Sequence, residues 1–140
     1  MNGSTGDNNG TMKESKKTVL IVDDNEKIRE EVSAHLTKAG FVCKKVIDGE
    51  QAMKLASSAN PDLILLDVIM PNMDGITFVK EMREEKKDTK TPIIMFTNLS
   101  ERETAKYLNP KTVQGHISKA NLSMPEMLDK VHKEVKAHLG

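Results

Sequence analysis

Short runs of apolar residues alternate along the chain with longer segments in which apolar residues recur every three or four positions. The runs cover 18–22, 63–66 and 93–96, with weaker candidates at 41–47 and 113–118. Apolar runs that are continuous, not alternating with polar residues, are typical of strands buried on both faces of a parallel sheet. Lys44 and Lys45 interrupt the 41–47 run, which is therefore predicted to be an edge strand.

The segments between these runs predict helices. The first carries a regular apolar stripe and stops at Gly40, a residue suited to the position after a helix; the stripe is Ile28, Val32, Leu36 and Ala39. The last begins at Ser123, with a proline in the first turn and Glu126 three residues on. Other helices are predicted over 51–57, around 76–82 and over 101–108, where only Ala105 and Leu108 form an apolar face.

Strands that alternate with helices form β-α-β units with right-handed crossovers and therefore a parallel sheet. Five strands predict an α/β, flavodoxin-like sheet in the order 2-1-3-4-5, with five helices on both faces. Residues 1–17 contain only two apolar side chains, Met1 and Met12, and are predicted to be a disordered leader. The domain is predicted to occupy residues 18–140.

Composition narrows the class of protein. The 140 residues carry 21 Lys+Arg against 21 Asp+Glu, and they include no tryptophan. A neutral chain without basic blocks or aromatic platforms argues against direct binding of nucleic acid. Cys43 is the single cysteine, no apolar run approaches the ~20 residues of a membrane span, and no signal core is present. A cytoplasmic protein without membrane insertion is expected.

Three carboxylates are predicted to meet at the carboxyl edge of this sheet. Asp23 and Asp24 follow the first strand and Asp67 follows the third. In the order 2-1-3-4-5 these two strand ends flank the point where the strand order reverses, which is where such sheets bind ligands. Carboxylate oxygens with room for water and a phosphate suit Mg²⁺. The alternative is a structural role, in which Asp24 caps the helix that starts near Glu26.

The same edge offers a hydroxyl and an ammonium group. Thr97 follows the fourth strand and Lys119 follows the fifth. A hydroxyl can donate a hydrogen bond to a phosphoryl oxygen, and a lysine can neutralise its charge. The alternatives are a simple strand-end threonine and a solvated lysine.

These residues together resemble the receiver domain of two-component response regulators, and among them the stand-alone regulators of chemotaxis. The segment from Asp67 to Gly75 matches the pattern D-x-x-M-P-x-x-D-G of that family, and Asp23-Asp24-Asn25, Thr97 and Lys119 occupy its other positions. The resemblance covers about residues 17–139.

The resemblance implies a phosphorylation switch. Asp67 would accept a phosphoryl group from a phosphohistidine of a sensor histidine kinase or phosphotransfer protein, or from a small phosphoramidate. Mg²⁺ would be held by Asp67 and three further ligands, namely Asp23, Asp24 and the backbone carbonyl of Ile69. Lys119 would pair first with Asp67 and then with the phosphoryl group.

The resemblance also implies how the switch is read. Thr97 and the switch residue at position 116 would pass the change to the face formed by helix 4, strand 5 and helix 5, where a downstream protein binds. Pro71 and Gly75 would shape the loop after Asp67, with Gly75 either starting helix 3 or taking a positive φ. The family also allows a dimer that forms on phosphorylation. Such a chain is not an enzyme with a separate substrate, because it catalyses only its own phosphotransfer and dephosphorylation.

Four positions depart from the usual pattern of the family. His116 stands where an aromatic switch residue is usual, and a partly buried structural histidine is favoured over a pH-dependent switch. Ile69 is an apolar side chain at the mouth of the site, which predicts slow autodephosphorylation. Asn98 replaces a small residue. Ala120 replaces a proline that follows a cis bond, which predicts either a trans bond with a changed loop or a strained cis bond.

Several alternatives remain. Nothing follows the last predicted helix before the chain stops at Gly140, which favours a stand-alone receiver. The second possibility is a receiver cut from a larger regulator or hybrid kinase, which the sequence does not distinguish from the first. A pseudo-receiver would act only as a protein-binding module. A phosphatase of the haloacid-dehalogenase kind would need a second Asp two residues after Asp67 as general acid, and Ile69 stands there.

Overall fold

Five parallel strands form a single sheet in the computed structural model, which describes residues 16–140. The strands are β1 (Thr18–Val22), β2 (Val42–Val46), β3 (Leu63–Leu66), β4 (Ile93–Thr97) and β5 (Gly115–Ser118). Their order is β2-β1-β3-β4-β5, which confirms the predicted flavodoxin-like order and places β2 at an edge. The register pairs Val22 with Leu66, so β1 and β3 end level with each other.

The described residues form five α-helices, of which the first four connect successive strands and the fifth follows β5: α1 (Glu26–Lys38), α2 (Gly49–Ala59), α3 (Gly75–Lys80), α4 (Glu101–Thr104) and α5 (Met124–Leu139). A π-helical segment, Glu81–Glu85, continues α3, and a short 3₁₀ turn, Pro110–Thr112, precedes β5. Side-chain caps fix the helix starts. Ser123 caps α5, and Glu126 returns the bond to the Ser123 backbone, as the sequence predicts.

The sheet is buried on both faces. Val32 and Leu36 of α1 pack with Val131 and Val135 of α5 against one face. Helices α2 and α3 cover the other face, where Phe78 is fully buried in one cluster with strand residues Leu20, Val22, Ile64, Leu66, Ile93 and Met95. All four residues of β3 are buried. This two-sided burial is the physical reason for the continuous apolar runs.

The prediction of a helix over 101–108 is wrong in extent. Helix α4 has a single turn and ends at Thr104. Thr104, not Ala105, faces the core, because its hydroxyl donates to the Ser100 and Glu101 carbonyls at 3.3 and 3.0 Å and is therefore satisfied when buried. Leu108 is buried as expected. Helix α2 is longer than predicted, because Asp48 caps it two residues earlier.

No helix among residues 16–140 is both long enough and apolar enough to cross a bilayer. The predicted leader falls almost entirely outside the described residues, so the division of the chain at residue 17 stays a prediction.

Candidate functional site

The carboxylates predicted to meet at the sheet edge do so. Asp23, Asp24 and Asp67 offer oxygens that all lie within 4.8 Å of one another. Backbone pairing sets this geometry: the Asp67 N–H donates to the Val22 carbonyl at 3.0 Å, which continues the β1–β3 ladder one residue past the strand end. Asp23 and Asp67 are buried and Asp24 is exposed, so the cluster opens to solvent on one side.

Asp24 does not cap α1, so the structural alternative for this residue is wrong. Asn25 is the cap, and its side chain accepts from the Ile28 N–H at 3.0 Å. Asp23 is held from within its own turn, where its Oδ1 accepts from the Asn25 N–H at 2.9 Å. The Asp24 carboxylate thereby remains directed to the cluster.

Lys119 is buried between two of these carboxylates. Its Nζ lies 2.6 Å from Asp23 Oδ2 and 3.3 Å from Asp67 Oδ2, and it also sits 4.7 Å from the centre of the Phe96 ring. The Lys119 N–H donates to the Thr97 carbonyl at 2.7 Å, which anchors the backbone at the end of β5. The alternative of a solvated lysine is therefore wrong.

The charges of the site call for a cation. Three carboxylates face one ammonium, which leaves an excess of negative charge in a partly buried cluster. Burial raises the pKa of Asp23, Lys119 opposes this, and the charge of Asp67 adds to it. A divalent cation removes this repulsion, and an all-oxygen donor set open to water is what Mg²⁺ prefers. The residues present therefore fit Mg²⁺.

The Asp67 carboxylate has two different environments. Its Oδ1 accepts from the Val68 N–H at 2.7 Å and from the Ile69 N–H at 3.4 Å. Its Oδ2 faces Lys119. These contacts hold the carboxylate in one orientation. The side chain is 11% exposed, so it stays within reach of a reactant. An oriented, accessible carboxylate can act as a nucleophile.

Thr97 ends β4, the strand beside β3. The pairing of Leu66 with Met95 places Thr97 one residue beyond the level of Asp67. Thr97 is fully buried, and its hydroxyl oxygen lies 3.4 Å from the Leu99 N–H that donates to it. The hydroxyl is thus near the carboxyl edge and weakly bound, which suits a group that changes partner.

Gly75 starts α3 at the end of the loop after Asp67, as one of the two expectations has it. Its N–H donates to the Val68 carbonyl at 2.8 Å. A Cβ at this position would overlap the Asp67 carbonyl oxygen and lie 2.8 Å from Val68 Cα, so only glycine fits. Pro71 lies in the exposed part of this loop.

The Lys119–Ala120 bond is trans, so the predicted alternative of a strained cis bond at Ala120 is wrong. The loop that follows contains Asn121 in the left-handed region, with φ of 63°, and Leu122 donates back to the Lys119 carbonyl at 3.2 Å.

His116 lies half-buried on β5. Its Nε2 is buried without a hydrogen-bond partner, and the ring lines a groove with Glu101 and Leu108. Burial lowers the pKa of His116, and the charge of Glu101 opposes this. Burial therefore favours the neutral imidazole in the folded protein relative to the unfolded chain.

A pH dependence of stability follows for His116. The unfolded chain binds the proton at an ordinary pKa near 6.5, whereas the folded chain binds it only at lower pH, so stability should fall as pH drops below about 6.5. His116→Phe should remove this part of the loss, as measured by urea unfolding at pH 7.5 and 5.5. His138→Phe, at an exposed histidine, is the control. Equal losses in wild type and His116→Phe would contradict the assignment.

Two further residues, Asp48 and Asn72, support the site, and a third, Arg83, holds the opposite edge of the sheet; the sequence pattern predicts none of these contacts. Asp48 and Asn72 join the β2–α2 and β3–α3 loops by a side-chain hydrogen bond of 2.7 Å. Arg83, in the π-helical segment, is buried and donates to the segment before β5. The sequence offers a signal only for Asp48, which stands three residues before Gln51 at the start of a helical pattern.

Comparison with known proteins agrees with this geometry. The family model of the response regulator receiver domain matches residues 19–132. The chain therefore belongs to the response regulator receiver domain family of two-component systems, which confirms the resemblance.

Among solved structures, the chain is similar to the chemotaxis response regulator CheY4 of Vibrio cholerae, at 32% identity and a TM-score of 0.73, covering 85% of this chain and 98% of that one. It is also similar to the response regulator TrrA of Thermotoga maritima, solved in complex with Mg²⁺ and BeF, at 30% identity and a TM-score of 0.71, covering 88% of this chain and 99% of that one.

Curated relatives are longer. The regulatory protein AtoC of Escherichia coli is 40% identical over 87 residues, which are 62% of this chain and 18% of that protein. The alkaline phosphatase synthesis transcriptional regulatory protein PhoP of Bacillus subtilis is 41% identical over 81 residues, or 58% of this chain and 33% of that protein. The chain thus matches a third or less of the length of either regulator.

Proposed function

We propose that this receiver takes a phosphoryl group onto Asp67 from the phosphohistidine of a sensor kinase or phosphotransfer protein. The observation that carries the proposal is the oriented Asp67 carboxylate, with one oxygen fixed by loop amides and the other facing the buried Lys119. A cluster of three carboxylates at the same edge supports Mg²⁺ as the required ion.

Four groups at this edge of the sheet would bind the ion. Asp23, Asp24, Asp67 and the backbone carbonyl of Ile69 would be its ligands. When bound, Mg²⁺ shields the attacking carboxylate from the negative charge of the phosphoryl group. Asp24, exposed at the mouth of the cluster, leaves room for water and for the incoming phosphate.

The transfer itself needs few protein groups. An oxygen of Asp67 forms a bond to phosphorus as the phosphorus–nitrogen bond of the donor breaks, and the imidazole of the donor leaves with its electron pair and takes up a proton. Lys119, already 3.3 Å from Asp67 Oδ2, would turn to the phosphoryl oxygens. The Thr97 hydroxyl would donate to another of these oxygens.

The switch would be read by another protein. Movement of Thr97 and His116 would alter the face formed by α4, β5 and α5, to which a downstream protein binds. The names of AtoC and PhoP describe regulators, in the second case of transcription, and support a receiver that controls such an output. The neutral charge of this chain favours a protein contact over direct contact with nucleic acid.

The proposal is tested by phosphorylation with a small donor. Wild type incubated with phosphoramidate and Mg²⁺ should gain one hydroxylamine-labile phosphoryl group by intact mass, and removal of Mg²⁺ by EDTA should prevent this. Asp67→Asn should gain none. Asp74→Asn, which changes the carboxylate that caps α3 on the same loop, should still be labelled.

Two outcomes would overturn the proposal. Label retained by Asp67→Asn would place the phosphoryl group elsewhere. A folded wild type that takes no label in Mg²⁺ would favour a module that only binds partners.

The lifetime of the phosphoryl group should depend on Ile69. This side chain is 63% exposed beside Asp67 and presents an apolar surface to an attacking water. Ile69→Asn, which can orient a water, should shorten the half-life about tenfold, equivalent to a barrier lower by about 1.4 kcal/mol. Decay of the label after removal of phosphoramidate measures it, with Val42→Asn, at an exposed site on the edge strand, as control. An unchanged half-life would remove the role of Ile69.

A further inference from the structure

Asp48 is a buried carboxylate outside the cluster, and it is hydrogen-bonded to the loop that follows Asp67. Asp48 is 4% exposed and uses both its oxygens. Oδ1 accepts from the Gln51 N–H at 2.9 Å and so caps α2. Oδ2 accepts from Asn72 Nδ2 at 2.7 Å, across 24 residues of chain. These two hydrogen bonds hold the pKa of Asp48 below its ordinary value, and the bond from the Gln51 amide contributes more than the bond from Asn72.

A backbone hydrogen bond beside Asp48 also connects the start of α2 to this loop. The Gly49 N–H donates to the Met73 carbonyl at 3.0 Å. A Cβ on Gly49 would overlap the Met73 carbonyl oxygen and lie 2.7 Å from Met73 Cβ, so the two backbones are in direct contact. Asn72 adopts φ of 67°, a conformation that a non-glycine residue adopts at a cost unless it is held.

The same loop holds the Asp67 carboxylate at its other end. The Val68 and Ile69 N–H groups both donate to Asp67 Oδ1. The direction of these two amides depends on the path of the loop, and that path is fixed at Asn72 and Met73 by Asp48 and Gly49. The bond at Asp48 is thus linked through about five residues of backbone to the orientation of Asp67.

We infer that Asp48 is a positioning residue for Asp67, acting through Asn72 to hold the loop whose amides orient the accepting carboxylate. A role limited to capping α2 would require one oxygen, and the second oxygen is committed to the loop. Asn72 is exposed and adds nothing to the core, so its bond to Asp48 serves the loop alone. This inference rests on the proposed function.

The inference predicts a reciprocal rescue. Asp48→Asn keeps an N-cap of equal quality, and it keeps a bond to Asn72 because the Asn72 amide can turn its oxygen towards the new NH₂ group. Asn72→Asp loses the bond, because it replaces the donor with a second carboxylate that faces Asp48. Asn72→Ala removes the donor without touching the cap. In the double variant Asp48→Asn/Asn72→Asp the new amide donates to the new carboxylate, so the bond re-forms with donor and acceptor exchanged.

The test measures the maximal rate of phosphorylation by phosphoramidate at saturating Mg²⁺, at a temperature where urea titration shows every variant to be fully folded. Asn72→Ala and Asn72→Asp should each be slower by about tenfold, because a displaced supporting group typically costs 10–100-fold, whereas Asp48→Asn should stay within about threefold of wild type. The double variant should recover to within about threefold of wild type. Asp62→Asn is the matched control, since its carboxylate accepts from the Thr18 N–H at 2.8 Å near the opposite end of the sheet.

Failure of the two ideas can be told apart. Labelled wild type together with Asn72→Ala and Asn72→Asp variants that react at the wild-type rate would overturn the positioning role and leave the proposed function standing. A double variant as slow as Asn72→Asp would also overturn it. A folded wild type that takes no label would overturn the proposed function and the positioning role together.

Discussion

Replacing Arg83 with methionine is expected to lower the free energy of unfolding by about 3 kcal/mol, because four acceptors lose hydrogen bonds from a charged donor, each worth up to about 1.5–3 kcal/mol. Arg83 is 9% exposed, and its guanidinium donates from all three nitrogens. Its acceptors, at 2.9 to 3.1 Å, are the carbonyls of Thr112, Asp88 and Thr91 and the side-chain oxygen of Gln114. Methionine retains the apolar stem and satisfies none of them.

The loss should also loosen the segment before β5, because two of these acceptors precede that strand. Urea unfolding gives the free energy, and Arg102→Met, at an exposed arginine of α4, should change it by less than about 0.5 kcal/mol. A loss of similar size in the two variants would show that Arg83 does not hold this corner of the fold.

Lys119→Met is expected to destabilise the protein by about 3 kcal/mol in EDTA, because the variant leaves the buried Asp23 carboxylate without its cation. The loss should be smaller in saturating Mg²⁺, since a divalent cation at the same carboxylates replaces the charge of the ammonium. The sign of this difference follows from the geometry, in which Lys119 bridges Asp23 and Asp67.

Urea unfolding of both proteins with EDTA and with Mg²⁺ provides the four values required. Lys133→Met breaks the pair between Lys133 and Asp129, whose side chains are 74% and 63% exposed, and should cost less than about 1 kcal/mol in either buffer. An unchanged stability of Lys119→Met in EDTA would contradict the account, as would a loss that grows when Mg²⁺ is added.

Much of the fold could be predicted because parallel strands that are buried on both faces have apolar residues at consecutive positions. The runs at 18–22, 63–66 and 93–96 are continuous because both faces of the sheet are covered. The strand order then determines the point where the order reverses, which lies between β1 and β3. Asp23, Asp24 and Asp67 could be placed together because parallel strands end at one edge.

Other features depend on contacts between distant parts of the chain that no local pattern reveals. The Asp48–Asn72 bond spans 24 residues, and Arg83 reaches Thr112 and Gln114 across about 30. Arg83 also stands in a charged stretch that is typical of an exposed helix end. The buried face of helix α4 could not be predicted, because Thr104 satisfies its hydroxyl locally and a polar residue therefore takes a core position.

The most direct measurement of the central claim locates the phosphoryl group on the chain. Wild type labelled with phosphoramidate and Mg²⁺ is reduced with borohydride, which converts an acyl phosphate of aspartate to homoserine, and is then digested and sequenced by tandem mass spectrometry. The account predicts homoserine at position 67 and unmodified aspartate at positions 23 and 24. Homoserine at another aspartate, or none in labelled and folded protein, would contradict it.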